Sequence, residues 1–457
     1  VYADGLARGL YLEHPNGLPY EGRVWPGPAV FPDFTSEATR QWWGECHQRL
    51  LAAGVDGIWN DMNEPADFDG DPDFRPNFTV PDGLVAEDDG DRRSFGLVHN
   101  AYANGMARAT RAGLRAGNAD RRGFVLTRAG YAGIQRDAAV WTGDNHSWWE
   151  HLAVTIPMQL NLGLSGVAFT GADAGGFQLN ASPELFARWV GAAALMPFFR
   201  AHTAIDTLDH EPWSFGPQVL DAVRELIGLR YRLLPYLYTL FEHAARTGEP
   251  IIRPLVWAYP ADLRVHDRAD SFMLGDDLLV APVRERGVEE RSVYLPEGVW
   301  YDYWSGEAWR GGRAVVVEAP LDRVPLFVRA GAIVAHESVR QYTGAAGDGV
   351  LRLLVAPGVD SDTGAPSGGG ATADAADPGA RARGTLYADA GDGYEYRSGA
   401  FWRAEFSFAD GVLRVATREG SSGHARWHSV AATVLGAGTR SESEPVAIEP
   451  GGAEIHV

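Results

Sequence analysis

From Val55 to about Phe199, short apolar or β-branched runs end abruptly in a polar residue, pass through a Gly/Asp loop and give way to amphipathic stretches. The runs are Val55–Asn60, Phe124–Arg128, Ala139–Asp144, Val167–Asp173 and, less sharply, Leu195–Arg200. Between them Leu97–Gly117, Trp148–Leu164 and Glu184–Ala194 are long enough for helices, with Pro157 expected to kink or end the second. The alternation predicts β/α units, and strands that are apolar throughout predict a parallel sheet covered on both faces. One long helix is predicted from about Pro217 to Arg246, opened by proline and closed by Gly248.

After Pro250 the pattern shortens to alternating segments such as Arg291–Leu295, Ala314–Val317 and Leu326–Val334, punctuated by Pro and Gly. That texture predicts an all-β region without a convincing helix. Ala356–Gly384 is rich in Gly, Ala, Asp and Pro and poor in large apolar residues, which predicts a mobile loop or linker, and a second β segment follows it. The fold class expected is therefore α/β plus all-β. A (β/α)8 barrel needs eight units over about 250 residues, and five are visible; an open doubly wound sheet would need only five strands.

Composition narrows the chemistry. The chain has 457 residues, 45% hydrophobic and 22% charged, as expected for a globular protein of several domains. Its net charge of -20 opposes a polyanionic partner, so no nucleic acid is expected. Every one of the 40 basic residues is arginine, a bias without mechanistic content. Cys46 is the only cysteine, which excludes an internal disulfide and fits a reducing, cytoplasmic setting. No apolar run approaches a membrane span, so no membrane partner is expected. The start at Val1, without methionine or a signal-peptide pattern, reads as a truncation.

Reactive groups of parallel α/β folds sit where strands end. Asp61 follows the Val55–Asn60 run directly, with Glu64 on the loop behind it. Either acid could cap a helix or bind an arginine, but Asp144 stands after a second run, in Trp141-Thr-Gly-Asp144-Asn145. Two carboxylates on separate strands facing one mouth meet the minimum for glycoside hydrolysis, one as nucleophile and one as proton donor. Asp173, in the Gly-rich stretch Gly171–Phe177, reads as a turn-former. His202 is either a satisfied core histidine or a donor to a substrate hydroxyl. Arg128 either orients a carboxylate or sugar hydroxyl, or makes a structural salt bridge. His202, Asp206 and His210 share i, i+4, i+8 spacing, but the surrounding segment contains Pro212 and no helical pattern, so no metal is expected. The acidic loops Asp67–Asp73 and Glu87–Asp91 lack a full calcium signature and read as solvated. No phosphate-binding glycine loop or Gly-x-Ser-x-Gly turn follows a strand, and no cofactor is expected.

At these residues the chain resembles the family 31 glycoside hydrolases, the α-glucosidase family. Asp56–Pro65, "DGIWNDMNEP", resembles the family's nucleophile signature, which implies Asp61 as nucleophile and Trp59 and Met62 as walls of the sugar site. "VWTGDN" resembles the acid/base segment, implying Asp144 as proton donor with Trp141 beside it. "LTRAG", "GADAGGF" and "FFRAHT" resemble further segments. They imply substrate contacts for Arg128, Phe177 and His202 and supporting roles for Asp173 and Arg200, with Glu64 supporting the nucleophile. "EPIIRPLVWAYP", "FMLGDDLLVAPV", "VPLFVRAGAIV" and "GTLYADAGDGYEY" resemble the barrel exit and two C-terminal β-sandwiches.

The resemblance implies barrel strands 4 to 8 over residues 1–252, a proximal sandwich over 253–340 and a distal one over 341–457 carrying the 356–384 loop. It also implies a retaining, exo-acting α-glucosidase acting on an oligosaccharide or α-glucoside, with Asp144 raised in pKa by Trp141, Trp148 and Trp149. Glucose is preferred to xylose or sulfoquinovose by the Met62-Asn-Glu-Pro tail. Transglycosylation and a piece that is non-catalytic in isolation are the alternatives. Family members carry an N-terminal sandwich and three earlier barrel strands, so an open half-barrel with unpaired edges is expected. Oligomeric state is left open.

Overall fold

The computed structural model describes residues 1–68, 79–358, 381–436, 439–449 and 452–457. The chain divides into two compact units, Val1–Trp141 and Thr142–Val457.

In the first unit a hairpin, β1 (Glu21–Val24) and β2 (Gly27–Val30), precedes α1 (Glu37–Cys46). Three strands follow: β3 (Gly57–Asn60), β4 (Phe124–Thr127) and β5 (Ala139–Trp141), with α2 (Tyr102–Gly117) between the first two. They pair in parallel, Trp59 opposite Leu126 and Leu126 opposite Ala139. Small residues set how closely the helices pack: a Cβ on Gly113 of α2 would lie 2.5 Å from the Gly44 carbonyl of α1. Among the described residues β3 pairs only with β4, so it is an edge, and its Trp59 is 46% exposed. The expectation of a sheet covered on both faces therefore fails at β3. The acidic loop expected to be solvated is buried at its start, where Asp67 accepts hydrogen bonds from the Tyr20 hydroxyl and, at 2.9 Å, the Arg23 amide. Residues 69–73 of that loop lie outside the described residues.

In the second unit α3 (Trp149–Leu164) runs through Pro157 without ending there. It is followed by β6 (Asp173–Ala174), α4 (Pro183–Ala193) and β7 (Arg200–Ala201), with β6 and β7 parallel. Ser182 caps α4 by accepting the Leu185 amide at 3.2 Å. β7 is shorter than the predicted Leu195–Arg200 run because Pro197 removes a ladder donor. The single helix expected over 217–246 is two, α5 (Pro217–Arg232) and α6 (Leu234–Thr247), broken at Leu233. Pro235 causes the break: it has no N–H, and its ring collides with the carbonyl four residues back.

The remainder is β-rich. β8 (Ile252–Pro254), β9 (Phe272–Leu274), β10 (Leu278–Val280), β11 (Glu290–Leu295), β12 (Val299–Asp302), β13 (Ala308–Arg310), β14 (Arg313–Glu318) and β15 (Leu326–Arg329) come first. One antiparallel sheet has the order β8-β9-β10-β15-β12-β13, and β11 pairs with β14 against it. The predicted segment Leu326–Val334 divides into β15 and β16 (Ala332–His336), because Gly331 turns the chain at φ 90°. A second sheet has the order β22-β21-β17-β16-β18-β19-β20-β23. Its further strands are β17 (Val350–Ala356), β18 (Ala382–Asp389), β19 (Phe401–Ala409), β20 (Val412–Gly420), β21 (Ser429–Gly436), β22 (Thr439–Glu442) and β23 (Gly452–His456). The predicted 356–384 loop begins and ends in strand, and its residues 359–380 lie outside the described residues. One core joins α3, α4, α5 and α6 to both sheets through residues such as Ile156, Trp189, Leu229, Phe272 and Val334.

Beside that core, Asp277 between β9 and β10 accepts the Tyr236 hydroxyl at 3.2 Å and lies 3.8 Å from the Arg329 guanidinium. Burial pushes its carboxyl up to about 6, opposed by Arg329 and reinforced by Asp276. The folded form therefore holds this proton more tightly than the unfolded chain, so its contribution is complete at acid pH and is lost as pH rises through about 6. Asp277→Asn is expected to unfold at higher urea than wild type at pH 7, by about 2 kcal/mol, with the difference vanishing near pH 4. Equal stabilities at pH 7 would refute the assignment.

Candidate active site

In the first unit the carboxylates sit on the turn that leaves β3. Asn63 pins this turn: its amide donates to Thr127 Oγ1 at 2.8 Å and its carbonyl accepts the Ala129 amide at 3.1 Å. The Arg128 amide donates to the Asn60 carbonyl at 3.1 Å, joining the ends of β3 and β4. Met62 adopts a positive φ of 59°, a left-handed conformation costly for a side chain with a Cβ, and its amide donates to Asp61 Oδ1 at 2.9 Å.

Arg128 organises the acids. Its Nε and one terminal nitrogen grip Glu64 at 2.7 and 2.9 Å, and the other lies 3.2 Å from Asp61 Oδ1. The two-pronged contact fixes the guanidinium plane, so Glu64 aims Arg128 and Arg128 holds Asp61. Met62 Sδ lies 3.1 Å from the same guanidinium. Both roles that the sequence left open for Arg128, salt bridge and carboxylate orientation, are thus present. Asp61 keeps a third of its side chain exposed, and Trp59 packs edge-on against Trp141 at 5.6 Å. Trp141 is buried, which makes Trp59 the open aromatic face of the pair.

In the second unit Asp144 is exposed. Trp148 is 47% exposed and Trp149 packs toward the helical core, so the expected burial of Asp144 by these indoles is not found. Asn145, which the sequence reading quoted without giving it a role, organises this half. Its backbone carbonyl accepts the Phe177 and Gln178 amides at 2.8 and 2.9 Å, and its side chain donates to the Asp173 carbonyl at 3.1 Å. Phe177 stacks on His202 with centroids 5.2 Å apart, and its carbonyl accepts the Thr203 hydroxyl at 3.1 Å. His202 is half-buried against this ring and is not a core histidine.

Asp173 is no surface turn-former. It is fully buried in β6, directly opposite Arg200 of β7, whose Nε donates to its Oδ1 at 2.6 Å. Burial raises the Asp173 carboxyl above its ordinary value; Arg200 and His202 oppose the rise and the Asp144 charge adds to it. Asp144 thus acts electrostatically on the same buried pair that supports the Phe177 loop. His210 is buried between Phe186 and Phe215, while Asp206 is exposed. Among the described residues no cluster of three or more His, Cys, Asp or Glu could hold a metal, and no helix is long and apolar enough to cross a membrane.

The sequence-predicted residues therefore fall into two preorganised groups. Asp61, Glu64, Arg128, Trp59, Met62 and Trp141 belong to the first unit, and Asp144, Asp173, Arg200, Phe177 and His202 to the second. The positioning residues missed were Asn63, Thr127 and Asn145. Two of these are asparagines inside the acidic motifs, and an asparagine beside a carboxylate at a strand end is the one signal that could have found them.

Residues 1–240 match the profile described as "Glycosyl hydrolases family 31 TIM-barrel domain", and residues 248–334 match "Glycosyl hydrolase family 31 C-terminal domain". The chain is 43% identical over 343 residues to alpha-glucosidase 2 of Bacillus thermoamyloliquefaciens, covering 75% of this chain and 43% of that protein. It is 37% identical over 466 residues to a probable glucan 1,3-alpha-glucosidase of Oryza sativa subsp. japonica, covering 100% of this chain and 48% of that protein. The crystal structure of a Tris-bound glucosidase II alpha subunit superposes with a TM-score of 0.84 at 29% identity, covering 100% of this chain and 50% of that one. The chain spans about half the length of the curated relatives it matches.

Proposed function

The chain belongs to glycoside hydrolase family 31, and from that premise we propose that it carries the catalytic residues of a retaining, exo-acting α-glucosidase that releases terminal glucose from an α-linked oligosaccharide or α-glucoside. The observation that carries the reading is the Glu64–Arg128–Asp61 relay at the end of β3. A carboxylate held through one oxygen by a guanidinium and a backbone amide is fixed in direction and kept ionised, as a nucleophile must be.

Asp61 Oδ1 carries those two contacts, so Oδ2 is the oxygen we assign to attack. It bonds to the anomeric carbon as the glycosidic C–O bond breaks, and the leaving oxygen takes the proton of Asp144. Asp144 then accepts a proton from water, whose oxygen displaces the Asp61 ester and restores both carboxyl groups. Two inversions leave the sugar in its original α configuration. Trp59 and Phe177 offer apolar faces to the ring, and His202 offers a donor to a hydroxyl. The names of the relatives favour glucose over xylose as the sugar.

The test is the first product. Proton NMR of an aryl α-glucoside digest by the 457-residue chain should show the α anomer before mutarotation, with the aryl α-xyloside cleaved far more slowly. Initial release of the β anomer would overturn retention, and preferential xyloside cleavage would overturn the sugar assignment.

A further inference from the structure

Four residues beyond Asp144 stands Trp148, a large indole left 47% exposed. Single exposed aromatics are ordinary on protein surfaces, but this one is held on several sides. The His146 ring lies against one indole face, with centroids 4.6 Å apart and planes 26° apart. His151 meets both rings edge-on, at 5.2 Å from His146 and 5.1 Å from Trp148. Nδ1 of His151 accepts the His146 amide at 2.8 Å, which fixes the orientation of that ring.

The backbone is pinned as firmly. The Trp148 amide donates to the His146 carbonyl at 2.8 Å, the Ser147 amide donates to the Gln178 carbonyl at 2.9 Å, and Asn145 receives Phe177 and Gln178 as described. Contact with the 176–178 turn is so close that a Cβ on Gly176 would lie 2.5 Å from the Ser147 nitrogen. An indole covered on one face and immobilised there presents its other face to solvent with little conformational entropy left to lose on binding. Flat aromatic faces of this kind accept the apolar face of a sugar ring.

We propose that Trp148, backed by His146 and His151, is the stacking platform for the leaving-group sugar and so decides which aglycone this chain accepts. The assignment rests on the α-glucosidase reading above and on Asp144 as proton donor. The donor must touch the glycosidic oxygen, and beyond that oxygen lies the aglycone. Four residues span at most about 14 Å, so Trp148 is held on the same short loop as the group that touches the leaving oxygen.

Two measurements on the 457-residue chain test this. In the first, kcat/KM is compared between α-linked glucose disaccharides and α-glucosyl fluoride, whose leaving group has no ring to stack. Trp148→Ala is expected to lower the disaccharide-to-fluoride ratio at least about tenfold, chiefly through KM for the disaccharide, and Trp148→Phe is expected to recover most of it. A change of less than twofold would overturn the platform.

The second measurement needs no turnover: saturation-transfer NMR of the same disaccharides with Asp61→Asn, alone and combined with Trp148→Ala. Contact to the reducing-end ring should be present in the first and lost in the second, while the non-reducing ring still shows contact. Its absence in Asp61→Asn, or its persistence without Trp148, would refute the proposal. Failure of wild type to turn over either substrate would instead count against the activity assigned above, leaving the NMR result to decide on Trp148.

Discussion

Asp61→Asn should lower hydrolysis of an aryl α-glucoside by about 10^4-fold or more, the scale on which loss of a covalent nucleophile is felt. An amide cannot form the glycosyl ester, yet asparagine nearly preserves the local structure. Its side-chain oxygen can still accept the Met62 amide, and Glu64 still holds Arg128 through two contacts. Asp61 is a third exposed, so no buried charge is left without its partner by the change. The variant should therefore fold and melt close to wild type, which separates loss of chemistry from loss of structure. A mechanism-based 2-fluoroglucosyl fluoride should add one sugar mass to wild type, on the peptide containing Asp61, and nothing to the variant. Turnover within tenfold of wild type, or labelling at another carboxylate, would remove Asp61 from the nucleophile's role.

What the sequence revealed, and what it hid, follows from the range of the forces involved. Asp61 and Asp144 were legible because a polar residue ending an apolar run is a local pattern that the strand-end geometry of α/β folds gives a meaning. Arg128 was visible as a residue, but its choice between salt bridge and orientation depended on Glu64, 64 positions away, and the structure shows that it makes both contacts. Asp173 was misread because a Gly-rich neighbourhood suggests an exposed turn; only the parallel pairing that sets it opposite Arg200 explains its burial. Trp148 and Trp149 were expected to enclose Asp144, but pattern alone cannot say which of two adjacent indoles turns inward. Trp149 starts α3 and packs toward the core, whereas Trp148 precedes the helix in extended conformation and faces out. The break at Leu233 could have been read directly, since Pro235 cannot sit in a continuous helix; the terminal Pro217 and Gly248 signals concealed it.

Removing the proton donor should have a different signature from removing the nucleophile. In Asp144→Ala, substrates with good leaving groups can still form the Asp61 ester, because a departing fluoride or nitrophenolate needs little protonation. Hydrolysis of that ester then lacks its general base, so turnover falls by about 10^2- to 10^4-fold, and disaccharides, whose alkoxide leaving group does need the proton, fall furthest. Asp144 is exposed, and truncating it opens no cavity. Its charge also helps to raise the buried Asp173 carboxyl, so its loss eases the ionised Asp173–Arg200 pair and costs no folding stability. Azide, an anion that needs no base, should restore turnover of the activated substrates and yield the α-glucosyl azide. The alkaline limb of the wild-type pH–rate profile should disappear in the variant, because that limb reports ionisation of the donor. An unchanged profile together with no response to azide would place the acid/base function on another residue.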